Sequence, residues 1–120
     1  KVLMVSRKTL EGRGAELRKF MAASSEGWKR YIFGDASKGD AAIRKANPDM
    51  SADQLVWSRQ KLKEIKALGM PGAPIMTMND ERWKRIYDIQ LAAQLVPENP
   101  QWKSAYTLEC VRDGLATVPA

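Results

Sequence analysis

Apolar and polar positions follow two rhythms along this chain. An unbroken apolar run, Val2–Val5, opens it and predicts a short buried strand. The stretch KTLEGRG follows, with Gly12 and Gly14 as breakers, and reads as a turn. From Ala15 the period lengthens to three or four residues. Leu17, Phe20, Met21, Ser24, Trp28, Tyr31 and Ile32 fall on one helical face, and Glu16, Arg18, Lys19, Lys29 and Arg30 lie mostly opposite. The segment FGD ends that helix. A short helix is expected over Ser37–Ala46, stopping at Asn47-Pro48 because the residue before proline avoids the α region.

The next helix is marked by Ser51 and Gln54, which have the spacing of a capping box. Its stripe is Leu55, Ser58, Leu62 and Ile65, and Gly69 is its expected C-cap. MPGAPIMTM reads as a loop. Asn79 is placed to cap a further helix, with Asp80 and Glu81 favourable in its first turn. That helix turns Trp83, Tyr87, Leu91 and Leu95 inward and is expected to end at Val96-Pro97. ENPQWKSA reads as a turn, and YTLECVRDGL as a last short helix. The whole is one unit spanning residues 1–120, mainly α, with one N-terminal strand.

Composition narrows the chemistry. Apolar residues make up 44%, which is enough for a core and argues against global disorder. A net charge of +6 attracts polyanions weakly without naming one as the ligand. The chain has no histidine, so the commonest general base and metal ligand are missing. Cys110 is the only cysteine, which rules out an intrachain disulfide and leaves a thiol nucleophile without its usual base. No apolar run approaches the roughly 20 residues of a membrane span. The opening KVLMVS, without an initiator Met, is expected to be a cut inside a longer protein.

Three patterns invite functional readings. WKRYI at Trp28–Ile32 and WKRIY at Trp83–Tyr87 could be a duplicated basic and aromatic grip. Their flanks diverge, and helical spacing puts each Trp on the apolar stripe, so packing is the stronger reading. GRGAEL resembles a dinucleotide loop but has Leu17 where a third Gly belongs. Met70, Met76 and Met78 share a loop, yet a Cu(I) site would want Cys or His beside them. No metal, no cofactor and no enzyme activity are expected.

Several segments stand in a familiar order: VS and KTL after the apolar run, RKFMAASSEGWKRYI, NPDMSADQLVWSRQKLK, MTMNDERW and AYTLECV. Together they resemble the C-terminal part of substrate-binding proteins of ABC transporters. The group is the one with nitrate, sulfonate and taurine binders and the thiamine-pyrimidine-precursor proteins. The resemblance covers nearly the whole chain. It implies a fragment of a two-lobed α/β fold of the type II periplasmic-binding-protein kind, closing like a clamp on a small organic or anionic solute such as a sulfonate or pyrimidine precursor. It also implies a periplasmic or extracytoplasmic location, a permease partner, and neither nucleic-acid binding nor a transmembrane segment. The chain departs from the group in having PGAPIMTM where a glycine-rich approach is common. Its lack of histidine also disfavours the enzymatic branch.

On this reading the candidate ligand-facing residues are Ser6, Met76, Thr77 and Trp83. Ser6 follows the strand end, where open α/β sheets place ligands, and the others belong to the motif-bearing loop and helix start. The lone strand would need a partner, which suggests a homodimer paired through it. The rival is a small basic helical domain binding nucleic acid or an acidic protein, whose affinity would fall steeply with salt.

Overall fold

The computed structural model describes residues 2–111 and 114–120. Five α-helices follow one another: α1 Arg7–Gly12, α2 Gly14–Phe33, α3 Ser37–Ala46, α4 Ala52–Glu64 and α5 Asp80–Ala92. A 3₁₀ turn, Trp102–Ala105, comes last. Among the described residues there is no strand; the only β pairing is an isolated antiparallel bridge between Pro74 and Thr117. This corrects the expected fold class. Without a strand or sheet, the described residues form no α/β layer, and the fragment of a two-lobed α/β fold is not what they build.

The N-terminal strand fails for a physical reason. A strand exists only as a partner in a ladder, because its backbone groups need acceptors and donors. Val2–Val5 find none among the described residues. Ser6 instead takes the extended conformation of an N-cap, accepting a hydrogen bond from Thr9 N, and starts α1 where a turn was expected. The apolar run stays exposed, from 40% at Val5 to 87% at Met4. The homodimer expected through this edge therefore loses its premise. The two glycines do less than expected as well. Only Arg13 leaves the helical region between α1 and α2 (φ −133°, ψ 30°), and backbone bonds run across it from Arg13 to Thr9 and from Leu17 to Arg13.

Local rules explain the remaining helix ends. Asp35 accepts from Ser37 N at the start of α3, and that hydrogen bond holds its carboxyl below the usual range. Ser51 and Gln54 form the complete capping box of α4. Asn79 Oδ1 accepts from Arg82 N at 2.9 Å and caps α5. The C-termini differ from expectation. α4 ends at Glu64 and is closed by Lys66 at φ 52°, not by Gly69, although Gly69 also has a positive φ of 114°. Lys66 N donates to Lys63 O and Ala67 N to Leu62 O, the paired bonds of a Schellman motif. Gln94 at φ 57° closes α5 in the same way, with Gln94 N on Leu91 O and Leu95 N on Gln90 O. That pairing stops α5 at Ala92, short of Val96-Pro97. The expected final helix over YTLECVRDGL does not form among its described residues: the 3₁₀ turn ends before Tyr106, and turns follow. Arg112 and Asp113, part of that expectation, lie outside the described residues.

The core is small. Met21, Ile32, Leu55, Ile75, Val111 and Val118 are its buried apolar side chains, and Ser25 is fully buried among them. The expected face of α2 thus rotates slightly: Phe20 is 55% exposed, and Ser25 takes the inward place given to Ser24. Ile65 and Leu95, both expected inside, are left out by the early helix ends.

Two devices hold the helices together. The first joins the C-terminal tail to the loop after α4. Gly72 N donates to Val118 O, Ile75 N to Ala116 O and Val118 N to Ala73 O, at 2.8–3.0 Å. Ser25 fixes this pair to α2, since its Oγ accepts from Ala116 N at 2.9 Å while donating to Ala22 O at 2.8 Å. The second joins α2, α3 and α4. Arg59 Nη1 and Tyr31 Oη both donate to Asp40 Oδ1, and the guanidinium lies 5.3 Å from the Tyr31 ring centre. The hydrogen bond to Tyr31, followed by the Asp40 charge, raises the Arg59 pKa.

Two stability predictions follow from these joints. Ser25→Ala leaves Ala116 N–H without its buried acceptor, and should cost about 1–3 kcal/mol in urea unfolding. A loss below about 0.5 kcal/mol would remove Ser25 from its role. Gly39 separates a general rule from a specific one. Gly→Ala inside a helix ordinarily adds up to about 1 kcal/mol. A Cβ at Gly27 meets nothing within 4 Å, but one at Gly39 would stand 2.5 Å from Tyr31 Cδ2. Gly27→Ala should therefore stabilise, whereas Gly39→Ala displaces the Tyr31 ring and should destabilise. Equal gains at both positions would sink this account.

Candidate functional site

α5 presents Trp83 and Tyr87 one helical turn apart, and the 3₁₀ turn region carries Trp102 and Tyr106 with the same spacing. The two pairs meet in opposite order. Trp83 stacks on Tyr106 with ring centroids 4.9 Å apart and planes 3° from parallel. Tyr87 faces Trp102 at 6.3 Å and 15°. Offset, near-parallel arrangements of this kind suit the quadrupoles of the rings. Behind the first pair, Trp83 Nε1 donates to Met78 Sδ at 3.3 Å. Beside the second, Asn99 N donates to Tyr87 Oη at 2.6 Å and holds the intervening loop against α5.

One carboxylate secures the open end of this ladder. Asp80, the first residue of α5, accepts from Lys103 Nζ at 2.6 Å and from the Tyr106 hydroxyl. These two bonds, the Lys103 one first, hold the Asp80 carboxyl below its usual value. The same contact raises the Tyr106 hydroxyl, because ionising it would remove a donor and set a phenolate charge beside the Asp80 carboxylate.

Between α5 and the segment after it lies a half-open cavity of about 240 Å³. Trp83, Ile86, Tyr87, Val96, Pro97 and Trp102 form its apolar walls. Gln90 and Asn99 add polar groups at its lining. Such a site, mostly apolar and aromatic with a few polar atoms, is the usual form of a small-molecule pocket.

Of the four residues expected to face a ligand, only Trp83 lines this cavity. Ser6 is spent as the cap of α1, and its hydroxyl lies 2.8 Å from Thr9 Oγ1. Met76 is half-buried in the left-handed region at φ 71°, a strained backbone for a side chain of its kind, and Thr77 is exposed. The methionine loop has a different use: Met78 accepts the Trp83 indole N–H. Among the described residues no cluster of His, Cys, Asp or Glu is placed to hold a metal, and Cys110 is free and half-buried.

The residues missed from sequence are Tyr87 as a pocket wall, Gln90, Trp102, and the Asp80–Lys103–Tyr106 set. A signal was present. The true counterpart of WKRIY at Trp83–Tyr87 is WKSAY at Trp102–Tyr106, which shares both Trp and Tyr at the same spacing, rather than WKRYI. The basic residues of the two WKR segments are partly paired along their own helices, Arg30 with Glu26 and Lys84 with Asp88.

No protein family, curated protein sequence or solved structure matches the chain. Among the described residues, no helix is long and apolar enough to cross a membrane.

The carboxylate at the end of the ladder sets a pH window. Asp80 titrates lower when folded, so its stabilisation is complete above about pH 4, where the unfolded carboxyl is ionised too. That stabilisation is lost as the pH falls through the folded value. Tyr106 titrates higher when folded, so its stabilisation is complete below about pH 10 and lost as the pH rises through its folded value. Near-ultraviolet circular dichroism from the Trp83–Tyr106 stack should thus stay constant between about pH 5 and pH 9 and fade on both sides. Asp80→Asn should remove the acid dependence. An acid limb that persists unchanged in that variant would assign it elsewhere.

Proposed function

We propose that this chain is the C-terminal scaffold segment of the solute-binding component of an ABC importer. It works outside the cytoplasmic membrane, where the whole protein closes on a small organic or anionic solute and hands it to a permease. Ligand binding favours the closed state by its differential affinity.

The observation that carries the reading is the ordered set of segments along the sequence and the use made of them. Asn47–Met50 is the turn into α4, Gln54–Ser58 its first turns, and Met76–Trp83 the loop and cap of α5. Ala105–Val111 is the segment that docks on α5 through Tyr106. These are the joints of the helical body, which is the part a scaffold must keep. A second support is apolar surface. The radius of gyration is 16.7 Å, against about 14 Å for a close-packed domain of this length. Val56, Trp57, Ile86 and Ile89 stand 45–62% exposed on α4 and α5. Helices with two apolar faces suit a body that packs on further protein.

The test is calorimetric titration of the complete gene product that contains this segment. Alkyl sulfonates and aminopyrimidines are the probes, one class at a time. Micromolar binding of either class supports the reading. A complete product that binds neither, or whose coding region starts within a few residues of Lys1, overturns it.

A further inference from the structure

We infer that the cavity between α5 and the Trp102–Ala105 turn is itself a binding site for a small planar heteroaromatic molecule of one or two fused rings. The inference needs only the residues of this chain and stands apart from the importer reading.

Three observations converge on it. Three aromatic rings stand among the walls: Trp83, Tyr87 and Trp102 line the cavity beside Ile86, Val96 and Pro97, and each ring is already near-parallel to an aromatic partner. A ring entering such a wall extends an existing stack, and planar heterocycles stack on aromatic side chains whatever their substituents. The size is restrictive. About 240 Å³ is below the roughly 300–1,000 Å³ of sites for drug-sized ligands and suits one or two rings. Polar groups are also left over. Gln90 lines the cavity and its amide has no hydrogen-bond partner among the described residues. The Tyr87 hydroxyl accepts from Asn99 N but donates to nothing among the described residues. An amide with both a donor and an acceptor, next to a free hydroxyl proton, matches the edge of a heterocycle that carries adjacent donor and acceptor atoms. No carboxylate stands among the lining residues, so the wall calls for an uncharged ring rather than a cation.

Adenine is the probe, with cyclohexanecarboxamide as a control that keeps the amide edge and lacks a ring face. Indole N–H signals in a nitrogen-15 spectrum of the chain resolve the four tryptophans. Millimolar adenine should shift the Trp83 and Trp102 signals and leave Trp28 and Trp57 in place, and the control should shift none. Tyr87→Leu should weaken adenine binding about tenfold. Gln90→Ala, at an exposed position where folding is not at risk, should weaken it at least threefold. No shift with adenine overturns the proposal. So do equal shifts at all four indoles, equal shifts from the control, and full affinity in the Gln90→Ala protein. Displacement of adenine by an unrelated apolar peptide with higher affinity would also overturn it, since the cavity would then be a protein-docking groove.

Discussion

One buried hydroxyl holds the molecule together. Ser25 receives Ala116 N–H and spends its own proton on Ala22 O, so α2 and the C-terminal tail share a single oxygen. The tail in turn pairs with residues 72–75, and Ile75 and Val118 from this pairing are two of the few buried apolar groups. A hydrogen bond contributes only about 1 kcal/mol by itself. Its leverage comes from position: it fixes the register of the tail, and the register decides which side chains enter the core. Where the apolar core is thin, such polar registration replaces bulk packing as the source of a unique arrangement.

Local chemistry was legible in the sequence wherever one side chain satisfies a neighbour. Ser51 with Gln54, and Asn79 before Asp80 and Glu81, announce their helices because a cap needs only four residues to be complete. The helix over Ser37–Ala46 was legible for the same reason at its other end, since Pro48 forbids continuation. The failures involve partners distant in sequence or absent. Val2–Val5 has the composition of a strand, but composition supplies no second edge, and Ser6 commits the next residues to a helix instead. Gly69 was the natural residue for a C-cap, yet the Schellman bonds form around Lys66, where the energetic preference for glycine is outweighed by two backbone hydrogen bonds.

The candidate site was half legible. Trp83, a candidate from sequence, is the one of the four that lines the cavity, because Asn79 fixes where α5 starts and hence where its first turn of aromatics lies. Its partners were hidden by the same logic that hid the tail. Trp102 and Tyr106 sit in a stretch whose local signals are those of a turn, and they acquire meaning only when the chain turns back after α5 to lay them over Trp83 and Tyr87. In sequence the Asp80 carboxylate is a favourable charge on a helix dipole. It is that, and it is also the anchor for Lys103 and Tyr106, 23 and 26 residues away.

The separation between Ser25 and Ala116 has a kinetic meaning as well. The two residues lie 91 positions apart, and bringing such distant points together carries an entropy cost of about 4 kcal/mol before any contact rewards it. The helices, by contrast, close their own bonds over a few residues. During synthesis α1 to α5 can therefore form in order as they emerge, while the core around Ser25, Ile75 and Val118 waits for the final residues. Until the tail arrives, Ser25 lacks its Ala116 partner and residues 72–75 lack theirs, and the chain is most open to misassociation in that interval.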